Sequence, residues 1–293
     1  MKETLSLEAC LPRKARRIWA NMGHHPLTAL GIIFLSVIIL LSLVGPMLAT
    51  NDPLTVEMSQ RLLGSSRQYL LGTDHMGRCI FTRLIFGSRI TLGIAFLVIL
   101  TVMFIGIPLG LLSGYIGGKL DTFIMRVVDG ASTLPEFLLA IAIAGFLGPS
   151  LTNLMLSIVL VKWMGYARVV RSIVLSEREK EYVLAARVAG SSTFTILFRH
   201  LLPQILSPVL VLASMDVGKV IMTISSLSYL GLGAQPPIPE WGAMLNDGRP
   251  YFQTVPQLMI YPGLAIIMVV ISCNLISDGL RDLLDVRSHK NEV

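Results

Sequence analysis

Charge placed inside apolar runs is the first chemistry this sequence offers. Asp129 and Glu136 fall in one such run, Lys162 in the next, and Asp216 and Lys219 in a third. Ionised groups are costly in an apolar medium, so they persist there when they pair or when they face a water-filled route. Asp216 and Lys219 are three residues apart, which places them on one face of a helix within pairing distance. Two readings stay open: structural ion pairs, or side chains lining a passage for a charged solute. Under the second, Asp216 is the first candidate to contact a cationic cargo and Asp129 the next, with Glu136 in the same set.

Other reactive residues offer less. His24 and His25 adjoin an apolar run on its basic side, which suits an interfacial position better than metal ligation. Asp74–His75 lies between Gly72 and Gly77, where a turn explains the segment as well as a cation contact does. No GxxxxGK[ST] run occurs, so nucleotide binding through a phosphate loop is not expected, and no cofactor is assigned to the chain. Cys10, Cys79 and Cys273 lie far apart with no CxxC spacing, which argues against a disulfide framework or a thiolate metal site. No paired catalytic groups stand at the ends of the apolar runs, so a membrane-embedded enzyme has no support.

The elements that must position these charges are membrane spans. Of 293 residues, 53% are hydrophobic and 14% charged, against about 25% charged in ordinary soluble domains. The mean hydropathy is +0.71. A span needs about 20 mostly apolar residues. Candidates are 26–48, 90–114, 123–147, 151–166, 204–230 and 258–276, giving an all-α membrane protein of about six transmembrane helices. The first run is too long for the core of a signal peptide and is expected as an uncleaved span. Gly106, Gly110, Gly114 and Gly118 recur every fourth residue, a pattern that lets helix backbones approach closely, within the bundle or in a dimer. Pro108, Pro135, Pro208 and Pro262 are expected to kink spans.

The formal net charge of +6 could point to nucleic acid, but the basic residues lie between apolar runs rather than among aromatics. Lys and Arg concentrate in 1–25, in 171–203 and after residue 280. With six spans all three segments fall on one side, so the N-terminal segment 1–25 and the tail 281–293 are expected in the cytoplasm. The transmembrane domain then covers 26–280, with outer loops 49–89 and 231–256. The first outer loop conflicts with this orientation, because it holds Arg61, Arg67, Arg78, Arg83 and Arg89.

The segment 171–203 is long for a connector, which needs only a few residues. Glu177, Glu179 and Glu181 alternate with Arg178 and Lys180, and the small residues Ala185, Ala186 and Gly190 follow. A solvated face explains this, as does a docking surface for a cytosolic partner. The spacing from Ala185–Ala186 through Gly190 and His200 to Leu202–Pro203 resembles the EAA motif of ABC importer permeases. Leu184 stands where that motif has Glu, with Glu181 nearby, and His200 stands where Ile is common. The runs 71–92, 229–251 and 274–285 are similar to the second permease of the dipeptide/oligopeptide/nickel importer group, with Cys79 in place of the usual Asp. The runs 125–135, 212–219 and 244–265 look closer to nickel-importer permeases.

The resemblance implies a type I ABC importer permease fold with cytoplasmic coupling helices, in a bacterial inner membrane. It implies Glu181, Ala185, Ala186, Gly190, His200, Leu202 and Pro203 as the ATPase-coupling set. It further implies a homologous permease partner, two cytosolic ATPase subunits that bind the ATP, and an extracytoplasmic substrate-binding protein. Nickel or a metal-chelate complex is the expected cargo and a dipeptide or oligopeptide the alternative. A secondary ion-coupled transporter is the rival of another class; it would leave the docking segment unexplained.

Overall fold

The computed structural model describes residues 26–48 and 51–284. The expectations for 1–25, including Cys10, His24 and His25, and for the tail beyond residue 284 lie outside the described residues. Nine helices organise the described chain: α1 (Pro26–Leu48), α2 (Ile80–Ile116), α3 (Gly118–Ala131), α4 (Glu136–Leu147), α5 (Leu151–Glu177), α6 (Glu181–Val188), α7 (Leu202–Tyr229), α8 (Trp241–Gly248) and α9 (Gln257–Leu284). A short helical turn at Thr193–Thr195 and a π-helical turn at Ile196–Leu201 run directly into α7.

Four helical runs are long and apolar enough to cross a membrane: Pro26–Gly45, Ile80–Ile116, Thr193–Tyr229 and Gln257–Arg281. The expected third span is broken. Its two halves, α3 and α4, meet at 87°, with Pro135 as the residue before α4. Ser132 and Thr133 close the break by donating their hydroxyls to the carbonyls of Val128 and Gly130. The fourth expected span, α5, has 27 residues, but Lys162, Arg168 and Arg171 dilute its apolar run. Among the described residues, counting the bent pair as one span gives five against the expected six; α5 has the length of a sixth but not its apolarity.

The second span also differs from expectation, starting at Ile80 rather than residue 90. Arg83 and Arg89 made its first turns read as loop. Arg83 is 2% exposed and Arg78 1%, and Asp74 and Asp247 neutralise both. Arg78 Nε lies 2.7 Å from Asp74 and its Nη2 3.2 Å from Asp247; Arg83 reaches the same two carboxylates at 3.6 and 3.8 Å. Arg89 donates to the carbonyls of Ser42 and Leu43, and Arg61 to the Tyr251 hydroxyl. Four of the five arginines in the conflicting loop are therefore engaged within the chain.

The same end of the bundle is closed by α8. Glu240, fully buried, caps that helix by accepting from the backbone N–H groups of Gly242 and Ala243, both at 2.9 Å. It also accepts from Thr91 on α2 at 3.2 Å. Trp241 donates its indole N–H to the Leu84 carbonyl of α2.

The centre of the bundle is the α2–α5 pair, the most extensive contact between described helices. The glycine stripe makes it. A Cβ on Gly106 would lie 2.6 Å from Tyr166 Cβ, one on Gly110 2.6 Å from the Ala167 carbonyl oxygen, and one on Gly114 2.8 Å from Val174 Cβ. These three glycines therefore seat α5 within the chain. Around this pair lie α7 and α9, and α1 runs antiparallel to α9, with Gly31 against Leu275 and Thr28 against Gly279.

Replacing Gly110 by Val should cost about 1–3 kcal/mol through overpacking. Thermal unfolding of the purified protein in detergent should show it, while Gly93→Ala, which meets nothing within 4 Å, should be neutral or stabilising. A second prediction concerns His75, which stacks on Tyr251 at 5.6 Å and whose Nδ1 is buried without a hydrogen-bond partner. Burial lowers its pKa below the ordinary 6.5, with Arg78 and Arg83 acting alongside and Asp74 and Asp247 opposing. As pH falls through 6.5 the unfolded chain takes up this proton before the folded one does. This contribution to stability is therefore complete above that pH and is lost on acidification. His75→Gln should reduce the drop in melting temperature between about pH 7.5 and about pH 5.5.

Candidate passage and coupling segment

Lys162 is the residue around which the intramembrane charges gather. It sits midway along α5, and its ammonium lies 3.0 Å from Glu136, at the first turn of α4, and 3.8 Å from Asp216 on α7. Asp216 also pairs with Lys219 at 3.2 Å, as the three-residue spacing predicts. The four side chains form an alternating series: Glu136, Lys162, Asp216, Lys219. Its inner members are sheltered, each side chain 9% exposed, and its outer members open, Glu136 at 57% and Lys219 at 65%.

These groups line a cavity of about 500 Å³ between the α3–α4 break, α5 and α7. Pro135, Tyr166 and Arg168 share the wall. Tyr166 is 2% exposed, and among the described residues its hydroxyl makes no hydrogen bond. It stands there because Gly106 admits its Cβ against α2.

Two further ion pairs tie α5 to the broken element. Arg168 donates to Asp129 at 3.2 Å and to the Ser132 hydroxyl at 3.0 Å. Arg171 binds Asp121 through two hydrogen bonds of 2.5 and 2.7 Å, and Ser113 of α2 donates to the same carboxylate. Numbers rise along α5 as they fall along α4 and α3, so the three pairs are successive rungs between α5 and the two halves of the broken element.

Of the expected passage residues, Asp216 and Glu136 therefore meet at one cavity through Lys162. Asp129 instead pairs with Arg168. Sequence reasoning passed over Lys162, Lys219 and Tyr166 as site residues. The signal for Lys162 was present, a lone cation in an apolar run, but its partners lie on other helices.

The expected coupling residues occupy a separate end. α5 continues to Glu177, and α6 follows after a short turn. Glu177 organises that turn, accepting from Lys180 at 2.6 Å and from the Tyr182 hydroxyl at 2.8 Å. Burial, and then the Glu177 carboxylate, push the Tyr182 phenol up to about 12. Glu181 lies in the first turn of α6 and Ala185 and Ala186 in its second half. Gly190 closes the helix with φ +78. Its N–H donates to Arg187 and that of Ser191 to Ala186, a Schellman arrangement that favours glycine at this position. His200 falls in the π turn beside Tyr182, at 6.4 Å between ring centres, and Leu202 and Pro203 open α7.

Only Val183 of α6 is fully buried, while Val188 is 90% exposed, and Phe194 and Phe198 in the next segment are 68% and 50% exposed. Arg187 lies over the Tyr115 ring and so ties α6 to the end of α2.

Comparison with known proteins agrees with this architecture. Residues 106–290 match the family described as binding-protein-dependent transport system inner membrane component. The chain is 40% identical over 270 residues to the dipeptide transport system permease protein DppC of Alkalihalophilus pseudofirmus, covering 92% of this chain and 89% of that one. It is also 40% identical over 256 residues to the nickel transport system permease protein NikC of Escherichia coli K12, covering 87% and 92%. The fold resembles that of the MetNI methionine ABC transporter in inward-facing conformations, with a TM-score of 0.55 at 18% identity over 69% of this chain and 95% of that one. The chain therefore belongs to the binding-protein-dependent transport system inner membrane components, as an ABC importer permease of the dipeptide/oligopeptide/nickel group and a transport subunit rather than a catalytic enzyme.

Proposed function

We propose that this chain forms half of the passage of an ATP-driven importer in a bacterial inner membrane. A homologous permease supplies the other half. Two cytosolic ATPase subunits bind the ATP and no cofactor belongs to this chain, while an extracytoplasmic binding protein delivers cargo. Both termini face the cytoplasm, together with α6.

The observation that carries this reading is the surface of α6 and the turn after it. A short helix held by one buried valine, followed by a positive-φ glycine and two exposed phenylalanines, is costly to keep in water. It suits a segment seated on a partner. A Cβ on Gly190 meets nothing within 4 Å among the described residues, which leaves space there for another surface. Glu181, Ala185, Ala186, His200, Leu202 and Pro203 belong to this coupling segment, and closure of the ATPases is transmitted through it to α5 and α7.

The cargo is a small polar solute, either nickel held in a chelate or a dipeptide. The sequence reading favoured nickel, with Asp216 contacting a cation. Lys162 and Lys219 now stand within 3.8 and 3.2 Å of that carboxylate. A bare divalent ion would meet two ammonium groups there, whereas a chelate or a peptide brings anionic oxygen of its own. The dipeptide reading gains from the same two lysines.

Substitution at Gly190 separates coupling from folding. Gly190→Ala should cost about 1 kcal/mol through its positive φ and leave ATP-dependent uptake largely intact. Gly190→Arg should abolish uptake while the chain remains inserted, measured as membrane content and transport in the same cells. Unimpaired uptake by the arginine variant would remove the docking role. For the cargo, a strain lacking this chain should lose uptake of labelled dipeptide or of chelated labelled nickel, and restoring the chain should recover it. Loss of neither would overturn both cargo readings.

A further inference from the structure

Within the series Glu136–Lys162–Asp216–Lys219, the inner and outer members differ in capacity. Lys162 already has two carboxylates and Asp216 two ammonium groups, and both are nearly buried. Glu136 and Lys219 have one ion-pair partner each in the series and leave more than half of their side chains exposed. The cavity therefore presents one open anionic end and one open cationic end, joined by a pair that is internally neutral. Arg168, at the rim, is already held by Asp129 and Ser132. Between the ends stands the Tyr166 hydroxyl, buried beside Asp216 and making no hydrogen bond among the described residues, a polar group that a ligand oxygen or nitrogen would satisfy.

We propose that these four residues and Tyr166 form a two-ended subsite that selects small solutes carrying both an ammonium and a carboxylate, with Glu136 receiving the ammonium and Lys219 the carboxylate. This deepens the passage reading and rests on it. The subsite discriminates by charge at both ends within the permease itself, independently of the binding protein that delivers the cargo. A free cation gains from Glu136 alone and a free anion from Lys219 alone, each against the repulsion of the inner residue beside that end, Lys162 or Asp216. A solute with both charges gains from both ends without displacing the inner pair.

The test is equilibrium binding of labelled dialanine to the purified permease–ATPase complex without its binding protein. Competitors are N-acetyl-dialanine, dialanine amide and nickel chloride. In the unmodified complex each competitor should bind about ten-fold or more weakly than dialanine, the loss expected when one charge-assisted hydrogen bond goes unmade. Glu136→Gln should abolish the preference over N-acetyl-dialanine and keep that over dialanine amide; Lys219→Gln should do the reverse. Both side chains are more than half exposed, so these replacements leave the packing unchanged. Equal competition by all four compounds, absence of dialanine binding, or unaltered end preferences in both variants would overturn the subsite. ATP-driven uptake of labelled dialanine or chelated nickel by the complete importer in liposomes reports separately on the permease reading. With uptake intact and end preference absent only the subsite falls; with neither solute imported the permease reading falls as well.

Discussion

An ammonium or guanidinium inside an apolar bundle costs several kcal/mol unless an anion or a carbonyl meets it. α5 carries three cations, of which Lys162 is the sheltered one, and Arg178 follows directly after the helix; each meets an anion or a carbonyl. Lys162 takes Glu136 and Asp216, Arg168 takes Asp129, Arg171 takes Asp121, and Arg178 donates to the Gly114 carbonyl. The acids stand on both sides of the α3–α4 break, so both halves of that element are tied to a single helix. The glycine stripe of α2 secures the opposite side of the same helix. Ion pairs to α3, α4 and α7, together with close backbone contact against the glycines of α2, restrict rotation of α5.

This constraint links the two functional regions. α5 holds the cavity residues Lys162 and Tyr166 near its middle and ends at Glu177, whose carboxylate binds Lys180 and Tyr182 at the entrance to α6. α7 begins at Leu202 beside the coupling segment and carries Asp216 and Lys219 farther along. α5 is therefore continuous from the turn before α6 to the cavity, and α7, with Pro208 inside it, leads from Leu202 to Asp216 and Lys219. The ion pairs of Lys162 join groups from three separate elements.

Much of this was legible in the sequence, and the exceptions share one cause. The apolar runs, the glycine stripe and the Asp216–Lys219 pair depend on neighbours a few residues away, so spacing reveals them. Arg78 and Arg83 read as exposed loop charges because Asp247, which helps to neutralise them, lies 169 residues from Arg78. That misplaced the start of α2 and produced the conflict in the orientation of the first outer loop, where a count of bare charges ignores cations already spent on partners. The break after Ala131 was missed for a related reason. Pro135 is compatible with a kinked span, and the ion pairs that fasten both halves, bent at 87°, to α5 are with residues distant in sequence. Gly190 shows the converse: its place in a family motif was legible, but the Schellman closure that demands glycine there depends on backbone geometry.

The rungs between α5 and the broken element also bear on how the chain enters the bilayer. Each acid precedes its cation, by 39 residues for Asp129 and Arg168 and by 50 for Asp121 and Arg171. During synthesis at about 5–20 residues per second the carboxylates emerge first and wait only seconds for their counter-charges. α3, α4 and α5 thus form a sequential unit that can neutralise these rungs before the C-terminal helices exist. Insertion of α5, whose charges make it a poor candidate to partition into lipid alone, becomes a step assisted by what the ribosome has just delivered.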